Sequence, residues 1–267
     1  MEPAEGQVGG GDGGRLAAGL YLVGTPIGNL EDITFRAVRT LRDCDAILAE
    51  DTRRTGILLQ RYGIATKMVS CHKYNEQSRL EGILERIRRG EAVALVSDAG
   101  MPGISDPGAR MAAAVRAAGL PVTAVPGATA ATTAVALCGA WKTPQYHFEG
   151  FLDHKTAARR RRLHELDAMG VPAVLYESTH RILKLLDEVE EELGGGRRLF
   201  VGRELTKKFE ETVEGTPGEL REHYRERSHK GEFVVILLPA GEGGQGGGGT
   251  GNFQKPNQST EDMQDGQ

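Results

Sequence analysis

Short apolar runs alternate with longer amphipathic segments through the first half of the chain. The run at residues 19–24 stops at glycine and proline, which is typical of a buried strand that enters a loop. The run at 92–97 is the clearest buried strand, and runs at 46–49 and 121–125 fit the same pattern. Helical patterns fall between them, at 33–41, 52–62, 75–89, 108–118 and 128–138. This alternation predicts a first α/β unit on a parallel sheet.

The same alternation continues in the second half. Apolar runs predict strands at 146–150, 172–176, 198–202 and 232–238, with helices at 155–168, 179–193 and 217–226. The sequence therefore predicts an α/β protein with two α/β domains of similar size, at 19–140 and 141–240. The cleft between two such domains is the usual place for a cofactor to meet its acceptor.

The two ends of the chain differ from the rest in composition. Residues 1–18 are rich in glycine, and residues 241–267 are polar and glycine-rich, so we expect both to be disordered tails. The start lacks the basic and apolar stretches of a signal peptide, and no apolar run approaches the roughly 18 residues that span a bilayer. We therefore expect a cytoplasmic protein without a membrane partner.

Composition and missing motifs argue against several kinds of site. The three cysteines are far apart and the histidines are dispersed, so we expect no disulfide framework and no metal site. The formal net charge is −4, so any contact with RNA has to use local basic patches. The chain has neither a G-x-G-x-x-G motif after its first strand nor a phosphate-binding P-loop motif, which argues against a dinucleotide dehydrogenase or a P-loop enzyme.

Four loops directly follow predicted strands and are rich in glycine, proline and small polar residues. They lie at 23–30, 97–108, 125–130 and 176–181. Any one of them is explained well enough as a tight turn. Loops at the carboxyl ends of strands in an open α/β sheet line one crevice, however, so together they predict a binding site.

The sequence of these loops is similar to that of a known family. The segments VGTPIGNLEDIT, AEDTRRTGILL, VSDAGMPGISDPG, VPGATA, GFLDHK, YESTHR, RELTKKFEE and KGEFVV occur in this order. They resemble the ribosomal RNA small subunit methyltransferase I family, cytidine 2′-O-methyltransferases of the tetrapyrrole-methylase superfamily. The resemblance spans roughly Leu20 to Pro239.

The resemblance implies a two-domain tetrapyrrole-methylase fold, a homodimer, and S-adenosylmethionine folded between the domains. It implies small-subunit ribosomal RNA, free or in the assembled subunit, as the acceptor. Backbone in the loops can approach such a cofactor closely. The expected cofactor-binding residues are Gly24, Thr25, Pro26, Gly28, Asp98, Ala99, Gly100, Pro102, Gly103, Ser105, Pro126, Gly127, Thr129 and Ala130.

Three positions depart from the family pattern. Met101, Asp153 and Thr179 stand where threonine, proline and proline are usual. We expect the first to alter a hydrogen bond in a cofactor loop, and the other two to change the stiffness of loops near the RNA.

Two acidic positions have alternative interpretations. Asp98 is the preferred polar anchor for the cofactor, and a turn-forming aspartate is its alternative. Asp51 fits a helix N-cap, whereas the resemblance suggests that Arg53, Arg54 and residues 72–75 face the acceptor RNA.

Basic residues of the second half form a candidate RNA surface. One predicted helix carries five basic residues: Lys155, Arg159, Arg160, Arg161 and Arg162. The alternative interpretation of this cluster is a solvated helix face balanced by Glu165 and Asp167. Because the same half of the chain also contains His180, Arg181, Arg203, Lys207 and Lys208, we favour phosphate contacts. The expected RNA-binding residues are Arg53, Arg54, Lys155, Arg159, Arg160, Arg162, Arg181, Lys207 and Lys208.

A ribose hydroxyl needs alignment and help in losing its proton. The candidate proton acceptors are Asp106, Glu177, His180 and Glu204, and Lys155 or Lys207 is expected to stabilise negative charge on the oxygen. Two alternatives stay open at this point: a tetrapyrrole C-methyltransferase of the same fold, and a non-catalytic RNA-binding module with a degenerate cofactor site.

Overall fold

The computed structural model describes residues 15–139, 145–226 and 230–241. In the first half, a five-stranded parallel sheet has the strand order β3-β2-β4-β1-β5. Its elements are β1 (Gly19–Val23), α1 (Phe35–Asp43), β2 (Ala46–Ala49), α2 (Thr52–Arg61), β3 (Met68–Ser70), α3 (Glu76–Arg88), β4 (Ala92–Val96), α4 (Ala109–Ala117), β5 (Val122–Val125) and α5 (Ala130–Cys138). The predicted α/β unit with a parallel sheet is confirmed.

The second half carries a mixed five-stranded sheet, with the order β6-β7-β10-β8-β9. Only β6 and β7 pair in parallel, and the other neighbours are antiparallel. Its elements are β6 (His147–Phe151), α6 (Thr156–Ala168), β7 (Ala173–Ser178), α7 (Ile182–Leu193), β8 (Leu199–Arg203), β9 (Glu211–Gly215), α8 (Pro217–Glu226) and β10 (Glu232–Leu237). The edge strand β9 was not predicted, because Val213 is its only large apolar residue.

The ends of the folded region differ in part from the prediction. Residues 1–14, 242–267 and 140–144, which include most of both predicted tails and of the predicted domain boundary, lie outside the described residues. Residues 15–18 were assigned to a tail, but Leu16 packs against the first core and the Tyr21 hydroxyl donates to the Ala17 carbonyl at 2.8 Å. The packed chain therefore begins a few residues earlier than predicted.

The strand order creates a crevice at one edge of the first sheet. β1 and β4 are neighbours, and the chain leaves β1 towards β2 on one side but leaves β4 towards β5 on the other. Ligands of open α/β sheets bind outside the carboxyl ends of strands at such a reversal. Every residue of β2 and β4 is buried, as expected for central strands covered on both faces.

Helix α5 joins the two halves of the molecule. Ala131 and Ala134 pack into one buried cluster with Val174, Phe200 and Ile236 of the second sheet. The second sheet is thereby held against the carboxyl edge of the first. Among the described residues, none of the helices has the length and apolar character needed to cross a membrane.

Arg159 of α6 lies in the core of the second half, which corrects its assignment to an RNA surface. Its side chain is 1% exposed, and its guanidinium donates to Glu177 at 3.1 Å and to Glu188 at 2.6 Å. A charged side chain is buried in a protein only where it is paired and hydrogen-bonded. The two carboxylates from β7 and α7 meet that requirement, so Arg159 is structural.

We predict that Arg159→Ala lowers the free energy of unfolding by about 3–5 kcal/mol, because it removes the buried cation that Glu177 and Glu188 share and leaves them only the more exposed Arg181 and Lys184. The matched control is Arg161→Ala on the same helix, where the side chain is 77% exposed and the expected change is within about 0.5 kcal/mol. Urea unfolding of both variants measures the difference. Similar values for the two would contradict the buried network.

Candidate functional site

Three loops at the carboxyl edge of the first sheet touch through their backbones. The Gly24 amide donates to the Val125 carbonyl at 3.0 Å, and Thr25 and Gly100 exchange two backbone hydrogen bonds of 2.9 and 3.1 Å. A Cβ atom on Gly24 would lie only 2.7 Å from the Gly127 amide nitrogen. Glycine is required here because no side chain fits between the loops.

A cleft of about 450 Å³, which we call the first cleft, opens between the two halves. Of the predicted cofactor residues, it contains Ala99, Gly100, Ser105, Thr129 and Ala130. Its other lining residues are Ile27, Met101, Ile104, Asp106, Phe151, Tyr176, Glu177, Ser178, Thr179, His180, Glu204, Leu205, Lys207, Gly231, Glu232, Phe233 and Val234.

A smaller second cleft of about 230 Å³ adjoins the first. The predicted cofactor residues Thr25, Pro26, Gly28 and Asp98 line it, together with Ala99. Its other lining residues are Ile27, Leu30, Arg54, Thr55, Ile57, Leu58, Ser97 and Lys207. The remaining predicted cofactor residues, Gly24, Pro102, Gly103, Pro126 and Gly127, line neither cleft. The fourteen predicted positions are therefore divided between two clefts and the loops that support them.

An apolar aromatic wall in the first cleft was not anticipated from the sequence. Tyr176 lies between Phe148 and Phe151, with edge-on ring contacts at centroid distances of 5.2 and 5.6 Å. The Tyr176 hydroxyl accepts a hydrogen bond from the Ala131 amide at 3.2 Å, and Phe151 is 55% exposed. Phe148 and Phe151 resemble core residues of a strand, and only the parallel pairing of β6 with β7 brings Phe151 to the edge that carries the loops.

Asp106 combines burial with negative neighbours. Burial, together with the nearby negative charges of Glu50, Asp98 and Glu232, raises its pKa to about 6, against a hydrogen bond from Ser97 that lowers it. A carboxyl group with such a pKa is partly protonated just below neutral pH, so it can both accept and release a proton close to neutral pH. Among the candidate proton acceptors, Asp106 is the one whose surroundings in the first cleft suit proton transfer.

Lys207 stands at the junction of the two clefts and lines both. Its ammonium donates to Glu204 at 2.7 Å and to Glu232 at 2.9 Å. Glu204 and Thr206 hold positive φ angles of 50° and 66°, an uncommon backbone for such residues. A Cβ on Gly28 would lie 2.4 Å from Lys207 Cγ, so the lysine stem rests on the first loop.

Two predicted proton acceptors are already engaged. Glu177 is buried, and its carboxylate is bound by Arg159, by Arg181 at 3.2 Å and by the Ser178 amide at 2.9 Å. Burial alone would raise the pKa of Glu204, but hydrogen bonds from Lys207 and the Glu232 amide outweigh it and lower that pKa. Both side chains already have hydrogen-bond and ion-pair partners within the protein, and their role as proton acceptors stays a prediction. His180 lines the first cleft on an exposed loop.

Asp98 connects two loops. Its Oδ1 accepts from the Asp51 amide at 2.9 Å, and its Oδ2 accepts from Arg54 Nη1 at 3.3 Å. Asp98 therefore faces the second cleft beside Arg54, whereas its predicted role was a cofactor anchor. Asp51 is an N-cap, since it accepts from the Arg53 amide at 2.8 Å. Side-chain and backbone hydrogen bonds from Arg53 lower the pKa of Asp51 to about 2.

Most of the predicted basic surface is neutralised within the protein. Arg160 pairs with Glu191 and Glu192, and Arg162 pairs with Glu149 and Glu165, so the alternative of a balanced helix face fits α6 better. Arg181 donates to the carbonyls of Leu152 and Asp153, and Arg203 pairs with Glu211. Two lysines were predicted to stabilise negative charge on the oxygen. Lys155 lines neither cleft, whereas Lys207 lines both. Lys208 is exposed and lies over the Phe209 ring.

The three departures from the family pattern are accommodated locally. Met101 lines the first cleft, and its sulfur occupies the space beside Gly24. Asp153 accepts from the Lys155 amide at 2.8 Å, and the Thr179 hydroxyl bonds the Gly231 backbone at 2.7 Å. The last two are hydrogen bonds that a proline side chain cannot make. Among the residues described, no cluster of three or more His, Cys, Asp or Glu is arranged to hold a metal ion.

Comparison with known proteins agrees with this architecture. The family model for Tetrapyrrole (Corrin/Porphyrin) Methylases matches residues 19–221. Two solved structures share the fold: uroporphyrin-III-C-methyltransferase from Thermus thermophilus has a TM-score of 0.59 at 20% identity, covering 83% of this chain and 94% of its own. The methyltransferase CobJ has a TM-score of 0.63 at 20% identity, with coverages of 84% and 95%.

Relatives with greater sequence similarity carry one name. Ribosomal RNA small subunit methyltransferase I of Halalkalibacterium halodurans is 45% identical over 223 residues, which cover 84% of this chain and 76% of the relative. The protein of the same name from Escherichia coli O157:H7 is 44% identical over 221 residues, with coverages of 82% and 77%. The chain therefore belongs to the tetrapyrrole methylase family, and within it to the ribosomal RNA small subunit methyltransferase I family.

Proposed function

We propose that this chain transfers a methyl group from S-adenosylmethionine to small-subunit ribosomal RNA, at the 2′-hydroxyl of a cytidine ribose. The observation that carries the proposal is the first cleft, in which a carboxyl group of raised pKa and a lysine lie beside close-packed glycine loops. The names of the relatives at 44–45% identity support RNA as the acceptor.

The first cleft fits the shape and chemistry of the cofactor. Its aromatic wall, Phe151 and Tyr176, suits the apolar face of an adenine. The backbone amide of Ala130, the first residue of α5, can donate to a polar end of the ligand. Its volume of about 450 Å³ lies within the range of about 300–1,000 Å³ usual for small-molecule sites. When bound, S-adenosylmethionine supplies an electrophilic methyl group.

The protein's own part in the reaction is positioning and proton removal. A ribose hydroxyl ionises far above neutral pH, so Asp106 accepts its proton as the new bond forms. Lys207, already fixed by Glu204 and Glu232, lies in the same cleft and stabilises negative charge that develops on the oxygen. His180 is the second candidate acceptor in this cleft.

The contact with RNA is proposed for the mouth of the two clefts. Arg53 and Arg54 begin α2 there, and Lys208 follows Lys207 on the facing turn. Arg53 and Arg54 are paired with Asp51 and Asp98, but their side chains remain 90% and 54% exposed. Together with the exposed Lys208 they are the basic groups proposed to meet phosphates in a chain of net charge −4.

We also propose the homodimer that the resemblance implies and the cytoplasmic location expected from the sequence pattern. Exposed aromatic side chains at Phe35 and Tyr74, which are 90% and 91% exposed, support a subunit interface, because aromatic residues are enriched in interfaces. Sedimentation at micromolar concentration distinguishes a dimer from a monomer.

We expect the protein to transfer radiolabelled methyl groups to small ribosomal subunits from cells that lack this activity. The label should resist alkali, since a 2′-O-methyl group blocks cleavage of the neighbouring phosphodiester. Naked ribosomal RNA and a tetrapyrrole precursor serve as parallel acceptors. Label in the tetrapyrrole alone would overturn the RNA proposal and favour the porphyrinoid C-methyltransferase alternative.

We predict that Asp106→Asn lowers kcat by about 10²- to 10⁴-fold, the usual contribution of a general base. The wild-type rate should fall as the pH drops below about 6, because Asp106 then becomes protonated. Single-turnover methyl transfer between pH 5 and 8 measures both effects, and an unchanged rate in the variant would exclude Asp106 as the base.

The same variant separates catalysis from folding. Because the pKa of Asp106 is raised from 3.8 to about 6, the stability contributed by its protonated form is complete below pH 3.8 and is lost as the pH rises through 6. Asp106→Asn should therefore raise Tm relative to wild type at pH 7.5, and the gain should shrink towards pH 4. Activity lost together with Tm would indicate a folding defect instead.

A further inference from the structure

The second cleft adjoins the cleft proposed for the cofactor, and its lining points to a ligand of its own. We propose that it is the acceptor pocket, that it takes one nucleoside turned out of the RNA, and that Arg54 and Asp98 recognise the edge of its base. This proposal rests on the proposed function and specifies the substrate of the same site.

The position of the second cleft suits an acceptor. Ile27, Ala99 and Lys207 line both clefts, so a ligand in one borders a ligand in the other. Transfer requires the reacting atoms to approach to about 3–3.5 Å. An acceptor that enters through the second cleft meets the donor at this border, where Lys207 stands.

The size of the second cleft limits what it can hold. At about 230 Å³ it has about half the volume of the first cleft, and it is smaller than the roughly 300 Å³ at which pockets for drug-sized ligands begin. One base with its sugar fits that space, whereas stacked bases or a four-ring macrocycle do not. A base inside a helix must therefore leave its stack to enter, as enzymes that modify bases require.

The chemistry of the lining suits a pyrimidine. Ile57, which is 61% exposed, Leu30 and Leu58 present an apolar surface to a base face. In the lining of the same cleft, the Arg54 guanidinium and the Asp98 carboxylate lie 3.3 Å apart and offer a donor beside an acceptor. Cytosine carries the complementary pattern, since its amino group donates to a carboxylate and its carbonyl accepts from a guanidinium.

Uracil presents the opposite polarity to Asp98. It has a carbonyl where cytosine has an amino group, so its oxygen would face the Asp98 carboxylate without a proton between them. The pair therefore favours cytosine over uracil, and this preference can be tested by changing one atom of the protein.

The first test removes the cation. Arg54→Met should lower kcat/KM for small ribosomal subunits by about 10- to 100-fold, as expected when one half of the two-point contact to the base edge is lost, and should leave the Kd for S-adenosylmethionine unchanged. The matched control is Arg61→Met, on an exposed position of the same helix that lines neither cleft, for which kcat/KM should stay within about 3-fold of wild type.

The second test reverses the polarity of the acceptor. Asp98→Asn keeps the size of the side chain and retains an oxygen for the Asp51 amide, but it turns an amino group towards the base. With RNA in which the mapped target cytidine is replaced by uridine, the variant should lose most of the wild-type preference for cytidine. The readout is the ratio of kcat/KM for the two RNAs, which a general folding defect does not change.

The outcomes distinguish this proposal from the one on which it rests. Equal losses in Arg54→Met and Arg61→Met, a raised Kd for the cofactor in Arg54→Met, or an unaltered base preference in Asp98→Asn would overturn the acceptor pocket while the RNA activity stands. Wild-type protein that labels a tetrapyrrole and no RNA would overturn both.

Discussion

Direct contact between the backbones of Gly24 and Gly127 is the constraint on which the site depends. The two loops follow the neighbouring strands β1 and β5, and the paired bonds of Thr25 with Gly100 add the loop after β4. A Cβ on either glycine would lie 2.7 to 2.9 Å from backbone atoms of the other loop. Because these loops close against each other, their outer surfaces become the shared wall of the two clefts.

The second half contributes the opposite wall through a chain of charged contacts. Arg159 in the core binds Glu177, Glu177 binds Arg181, and Arg181 holds the carbonyls of Leu152 and Asp153 at the end of β6. Each member is buried or half-buried and paired, so the loops after β6 and β7 have few alternative positions. Because these loops are already ordered, ligand binding loses little free energy to ordering them.

Sequence patterns predicted the helices of the first half, four of its five strands and the four loops, because buried parallel strands form continuous apolar runs that stop at glycine and proline. The edge strand β3 was not among these runs, since it has only three residues and all are half-buried. They did not predict β9, whose residues are mostly polar, or the burial of Arg159. Its partners lie 18 and 29 residues away and on other elements, so five neighbouring basic residues read as one surface. The sequence also did not predict that the loop residues divide between two clefts, because the Arg54–Asp98 pair joins residues 44 positions apart.

Cofactor binding in the first cleft is the central claim, and titration calorimetry with S-adenosylmethionine tests it most directly. Gly127→Ala places a methyl group against the Gly24 backbone and should raise Kd at least about tenfold, which is about 1.4 kcal/mol. Gly82→Ala is the control, since its Cβ meets nothing within 4 Å on helix α3 and should leave Kd unchanged. An unaltered Kd in a folded Gly127→Ala variant would contradict the account.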